Sequence, residues 1–197
     1  MKRSTFESAT VQIRNRYASL PRMNNFISKT SEQIKEHMLF WFLKYYNKSV
    51  EEFDGSEQFT LFDKIPISRK ELYLRRLFLQ PNELPVFILV VDKDELIINT
   101  TNKFVRLENF TSEFINYTDF EWHNGFNTIV PSQSENERLN SIKTNGNVSK
   151  FGLKLKNGQI IYWNVPTGRI GFAFWNITKK CELIGRKYVA GTNNNEA

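Results

Sequence analysis

Apolar residues recur along this chain first at helical spacing and later at every second position. Behind Thr30 or Ser31, either of which can cap a first turn, Ile34, Met38, Trp41, Phe42 and Tyr45 follow a helical period to about Asn47. Leu39, Phe40, Leu43 and Tyr46 widen that surface beyond one stripe, which predicts a helix buried on most sides or shared with a partner subunit. Residues 1–30 have weak periodicity and hold Pro21, so a short helical segment followed by a loop is expected there. Further on, Asp54-Gly55 signals a turn and Gln58 to Phe62 reads as a short strand. Ser68 and Glu71 have capping-box spacing for a helix carrying Leu72, Leu74, Leu77 and Phe78, which Pro81 must end.

From residue 86 the period falls to two. Val86 to Val91 is an apolar, β-branched run, Asp92-Lys93-Asp94 makes a turn, and Leu96 to Ile98 resumes, which predicts a buried hairpin. Lys103 to Leu107 alternates. Phe114 to Trp122 alternates again, with Phe114, Phe120 and Trp122 expected on one face and Ile115 and Tyr117 on the other. Pro131 to Val148 is polar and rich in Ser and Asn, the composition of an exposed loop. Phe151, Leu153 and Leu155 alternate up to Asn157-Gly158, which suits a two-residue type I′ turn, and Ile161, Trp163 and Val165 alternate on the return. After Pro166 a last helix, starting near Thr167, strings Ile170, Phe174, Ile177, Cys181 and Ile184 along one stripe and is expected to stop at Gly185.

This order predicts an α+β fold: N-terminal helices, then a mainly antiparallel meander sheet or partly closed barrel, then a C-terminal amphipathic helix packed on the sheet. Residues 1–82 form the expected helical region, 83–190 the β domain with its closing helix, and 191–197 a disordered tail. Three stretches, Val86 to Asn99, Phe151 to Val165 with its Asn-Gly turn, and Ile170 to Ile184, together resemble the pleckstrin-homology-like (PH-like) barrel in its bacterial form. That fold uses seven strands, of which six are clear in the sequence. The resemblance implies a binding module for peptides, proteins or sometimes anionic lipid, and not a reaction.

Composition narrows the class. A chain of 197 residues with 40% hydrophobic and 14% aromatic content can bury one sizeable core and is too apolar for a disordered segment. An apolar run such as Val86 to Val91 is far short of the roughly 18 residues that cross a bilayer, and none in the chain is longer. The basic start Met1-Lys2-Arg3 has no apolar stretch behind it, so a secretory signal is not expected. Cys181 stands alone, which rules out an intramolecular disulfide and fits a reducing, cytoplasmic setting.

The net charge of +6 is concentrated at the ends: residues 1–30 hold six Lys or Arg against one Glu, and residues 149–190 hold eight against one. A basic surface built from both ends would attract nucleic acid, an anionic membrane surface or an acidic partner. The candidate binding residues are Arg69, Lys70, Arg75 and Arg76 on the helix before Pro81, Lys154 and Lys156 in the late hairpin, and Arg169, Lys179 and Lys180 on the last helix. Arg169 lies between Gly168 and Gly171 at a helix start, a superficial likeness to an anion site, but no Gly-rich phosphate loop precedes it. Trp122, Trp163, Phe172 and Trp175 could stack bases beside Lys154, Lys156, Lys179 and Lys180, or could simply fill a core.

No catalytic constellation emerges. His37 and His123 are the only histidines and read as structural, Asp92, Asp94 and Glu95 read as turn residues lacking calcium-loop spacing, and Cys181 falls on an apolar stripe. The sequence therefore predicts a non-enzymatic binding domain with no cofactor and no metal. Its expected partner is a protein or peptide; the alternative is an anionic ligand, nucleic acid or acidic lipid, held by the basic ends. The apolar helix over 31–46 leaves a dimer open.

Overall fold

Thr30 caps the first helix as its sequence allows: its hydroxyl accepts from the Gln33 N–H at 3.3 Å while the Gln33 side chain accepts from the Thr30 N–H at 3.1 Å. Helix α1 (Ser31–Tyr46) then buries Ile34, Met38 and Phe42 and ends at Asn47 in the left-handed conformation. The computed structural model describes residues 28–127, 134–144 and 146–188, so the expectations for residues 1–27 and 191–197 fall outside it. In chain order α1 is followed by β1 (Phe59–Leu61), α2 (Ile67–Leu74), β2 (Pro85–Val90), β3 (Glu95–Thr100), β4 (Lys103–Glu108), β5 (Thr111–Asn116), β6 (Phe120–Asn127), α3 (Glu135–Lys143), β7 (Val148–Leu155), β8 (Ile160–Pro166) and α4 (Gly168–Lys187).

The strands form two antiparallel sheets, β1 to β5 in sequence order and β6 to β8 likewise, and the two are not hydrogen-bonded into a closed barrel. The fold is thus α+β with a C-terminal helix, with an open sheet pair in place of a barrel.

Period-two alternation explains why the first sheet is covered on both faces. Phe87, Leu89, Ile97, Phe104 and Ile115 point to an inner core shared with α1, with Phe174, Ile177, Cys181 and Ile184 of α4, and with Phe151, Leu153 and Trp163 of the second sheet. Ile88, Leu96, Ile98, Val105 and Leu107 point outward, where Phe62, Ile65 and Leu77 cover them with help from Tyr73 and Leu79. Strand β3, central in this sandwich, is buried at every position. Phe42 of α1 stacks on Phe87 with 4.6 Å between ring centres, so residues before and after position 82 share one core; truncating such a ring to Ala costs about 3–5 kcal/mol.

Several local expectations are corrected. Helix α2 begins behind Pro66, without the Ser68–Glu71 capping box, and ends at Leu74, well before Pro81. Tertiary packing ends it early: Leu77 leaves the helix to plug the outer core, and Phe78 turns through the left-handed region at φ 46°. The run Phe114 to Trp122 is two strands and not one, because the chain turns at 117–119, where the Asp119 N–H donates to the Asn116 carbonyl at 3.0 Å. Phe114 is therefore exposed while Phe120 is buried. The polar stretch before Val148 contains α3, started by a Ser134–Glu137 capping box.

The Asn157-Gly158 turn is not type I′. Gly158 alone takes a positive φ, the Gly158 N–H donates to the Leu155 carbonyl, and Leu155 pairs with Gln159, which is a three-residue loop with a glycine bulge. Finally, α4 runs through Gly185 to Lys187. Gly185 is a packing glycine: a Cβ there would meet the Tyr117 carbonyl, so its absence lets α4 rest on the β5–β6 turn.

Candidate functional site

Strand β5 closes one side of the first sheet and pairs only with β4. The Tyr117 N–H donates to the Asn102 carbonyl at 2.9 Å, and with the β4–β5 register this directs the backbone groups of Thr111, Glu113 and Ile115 toward β4. The N–H and C=O groups of Ser112, Phe114 and Asn116 therefore face away from the sheet. Edge strands are usually blunted by proline, a bulge or charged side chains; Thr111 to Asn116 has no proline, lysine or bulge, and Glu113 is its one charged residue.

Apolar surface flanks this edge on both faces. On the inner side, Ser112, Glu113, Phe114 and Ile115 face Gln159, Ile161 and Trp163 of the β8 region across a groove of about 420 Å³. Trp163 is 1% exposed, and its indole N–H has no hydrogen-bond acceptor among the described residues. On the outer side the Phe114 ring is 59% exposed, and the Lys103 ammonium lies 5.6 Å from its centre. Lys103 is itself fixed there by Glu83 at 3.1 Å and by the carbonyl of Phe78 at 2.8 Å, and Phe78 presents a second exposed ring. Thr100 donates its hydroxyl to Glu83, and the Gln80 N–H donates to the same carboxylate at 2.9 Å.

Around Arg106, on the inner face beside the edge, carboxylates outnumber cations. Arg106 of β4 binds Glu95 at 2.6 Å, Glu108 at 2.6 Å and Glu113 at 3.1 Å. Three carboxylates against one guanidinium leave two negative charges in excess. Asn164 of β8 donates to the other oxygen of Glu95 at 2.8 Å. Together with Ile161 beside β5, this contact shows that β8 crosses the strands of the first sheet.

The basic residues singled out from sequence do not come together. Arg69 lines a hollow of about 370 Å³ at the opposite, β1 edge of the sheet, in company with Glu57, Tyr73 and Asp92. Lys70 donates to the Asp63 carbonyl at 2.5 Å, Arg75 is the C-cap of α2, and Arg76 donates to the Thr111 carbonyl at 2.9 Å. Lys154 pairs with Glu121 at 2.8 Å, and Lys156 is exposed in the β7–β8 loop. On α4, Arg169 lies over the ring of Tyr46 at 5.3 Å, Lys179 over Trp175 at 5.3 Å and Lys180 over Trp41 at 4.9 Å. The α2 group and the α4 group stand on opposite sides of the first sheet.

Of the four aromatic residues considered for stacking, Trp122, Phe172 and Trp175 gather around His123, whereas Trp163 lies at the β5 groove. The Trp175 indole donates to His123 Nε2 at 2.6 Å, and burial, with Lys179 nearby, lowers the imidazole pKa to about 4. Burial pushes the Cys181 thiol up to about 12, so it is protonated at neutral pH. Among the described residues no three His, Cys, Asp or Glu side chains are placed to hold a metal ion, and no helix is long and apolar enough to cross a membrane.

Sequence reasoning missed the β5 edge because an edge is a property of sheet order and not of the strand. One signal was present: Phe114 and Ile115 put apolar side chains on both faces of a strand that also carries Ser112 and Glu113. Comparison with known protein families, with curated proteins and with solved structures finds no match.

Proposed function

We propose that this chain is a non-enzymatic, PH-like binding module that holds a protein or peptide partner as an extended strand along β5. The observation that carries the reading is the open edge at Ser112 and Phe114, bordered on one face by the Ile161–Trp163 groove and on the other by the exposed Phe114 ring. Backbone groups along such an edge supply affinity, and pockets on alternate sides supply selectivity. The PH-like assignment draws support from β2 to β8, which count seven antiparallel strands before the closing helix α4.

Among the described residues, the candidate cations of α2 and those of α4 stand on opposite sides of the first sheet, which favours a peptide over nucleic acid or acidic lipid, ligands held by many cations on one surface. A cytoplasmic location belongs to the same proposal and is supported by the lone Cys181, which leaves no intramolecular disulfide to form.

Selection from a random peptide display library, followed by amide exchange on the complex, tests the reading. Enriched peptides are expected to slow exchange at Ser112 and Phe114. Enriched peptides that leave those two amides unchanged would overturn strand addition.

A further inference from the structure

We infer that the segment β5 takes is an antiparallel strand bearing an apolar–apolar–basic triplet, read from N to C opposite Ile115, Phe114 and Glu113; this rests on the strand-addition reading above. The rule comes from β5 itself. A strand hydrogen-bonded to the outward groups of Phe114 puts the residue facing Phe114 on the outer side and its two neighbours on the inner side. The residue opposite Ile115 then enters the groove walled by Ile161 and Trp163, which accepts an apolar side chain. The residue opposite Phe114 lies against an exposed aromatic ring. The residue opposite Glu113 meets a carboxylate that is 55% exposed and belongs to a cluster of three carboxylates with a single guanidinium. A Lys or Arg there offsets the excess negative charge, and an Asp or Glu adds to it.

The opposite side of β5 already displays this solution. Strand β4 runs antiparallel to β5 and places Phe104 opposite Ile115, Val105 opposite Phe114 and Arg106 opposite Glu113. An added strand meets the same three side chains from the open side, so the same order of side chains satisfies them.

The test uses the full chain and two synthetic peptides of one length in a Ser/Thr host, with central triplets Phe-Val-Arg and Phe-Val-Glu. Affinity is read by fluorescence anisotropy and the site by amide exchange at Ser112 and Phe114. The arginine peptide is expected to bind on the order of tenfold tighter, with the margin shrinking as salt rises. Glu113→Gln should narrow the preference and Glu113→Lys should reverse it; if the second variant fails to fold, the first still decides. Equal affinities with both amides protected would overturn the triplet and leave strand addition standing. Peptides that protect neither amide would overturn both. A dimeric chain whose Ser112 and Phe114 amides are protected before any peptide is added would assign the edge to a second copy and overturn the inference.

Discussion

Asn164 of β8 donates its side-chain amide to Glu95 of β3 across 2.8 Å, joining the second sheet to the first. Glu95 is 3% exposed, so this bond and the one from Arg106 replace the water it loses on folding. The contact also anchors β8 where it crosses the sheet, and so keeps Ile161 and Trp163 beside β5. Replacing Asn164 with Leu removes one donor from a buried carboxylate and should cost about 1–3 kcal/mol. Urea unfolding measures the loss, and an unchanged midpoint would show that the bridge contributes nothing to the joint between the sheets.

Lys103 and Glu83 form a second buried pair, with side chains 6% and 2% exposed. Removing one partner strands the other charge away from water, whereas removing both leaves no buried charge, only the neutral polar groups of Thr100, Gln80 and Phe78. Lys103→Met should therefore destabilise by about 3–5 kcal/mol, and adding Glu83→Leu should recover much of that loss. The recovery is the informative part. A double variant no more stable than Lys103→Met would mean that Glu83 acts chiefly through Thr100 and the Gln80 N–H, which also bind it.

The buried His123 makes stability depend on pH. Its pKa falls from the usual 6.5 to about 4 in the folded chain, so the unfolded chain takes up the proton first as pH drops. The contribution is complete above the unfolded value and is lost as pH falls from 6.5 toward 4, by on the order of 2–3 kcal/mol at most. His123→Gln, which retains an acceptor for the Trp175 indole, should flatten the difference between unfolding curves at neutral and mildly acidic pH. If both proteins lose stability in parallel, other groups carry the acid sensitivity.

Much of the architecture was legible because burial follows period. The stripe Ile34, Met38, Phe42 faces the core as its spacing requires, and the apolar hairpin from Val86 to Ile98 is buried on both faces as its composition requires. What failed was decided by partners distant in sequence. Gly185 looks like a helix end, yet the carbonyl of Tyr117 lies where its side chain would be, and the helix continues. The Ser68–Glu71 box lost to a helix starting one residue after Pro66, and Leu77 was taken by the outer core. The candidate site was less legible than the fold. Charge pointed to Arg69, Lys154 and Lys179, which lie on separate elements, while the open edge of β5 exists only once the strand order is known.

Ser112→Pro tests strand addition most directly. It deletes an N–H that points away from β4, a place where a sheet tolerates proline, so the fold should lose no more than about 1 kcal/mol. Titrating a selected peptide against both proteins should give binding to the parent chain and at least a tenfold loss, of order 1.4 kcal/mol, in the proline variant. Equal affinity in the two proteins, with the variant folded, would contradict the account.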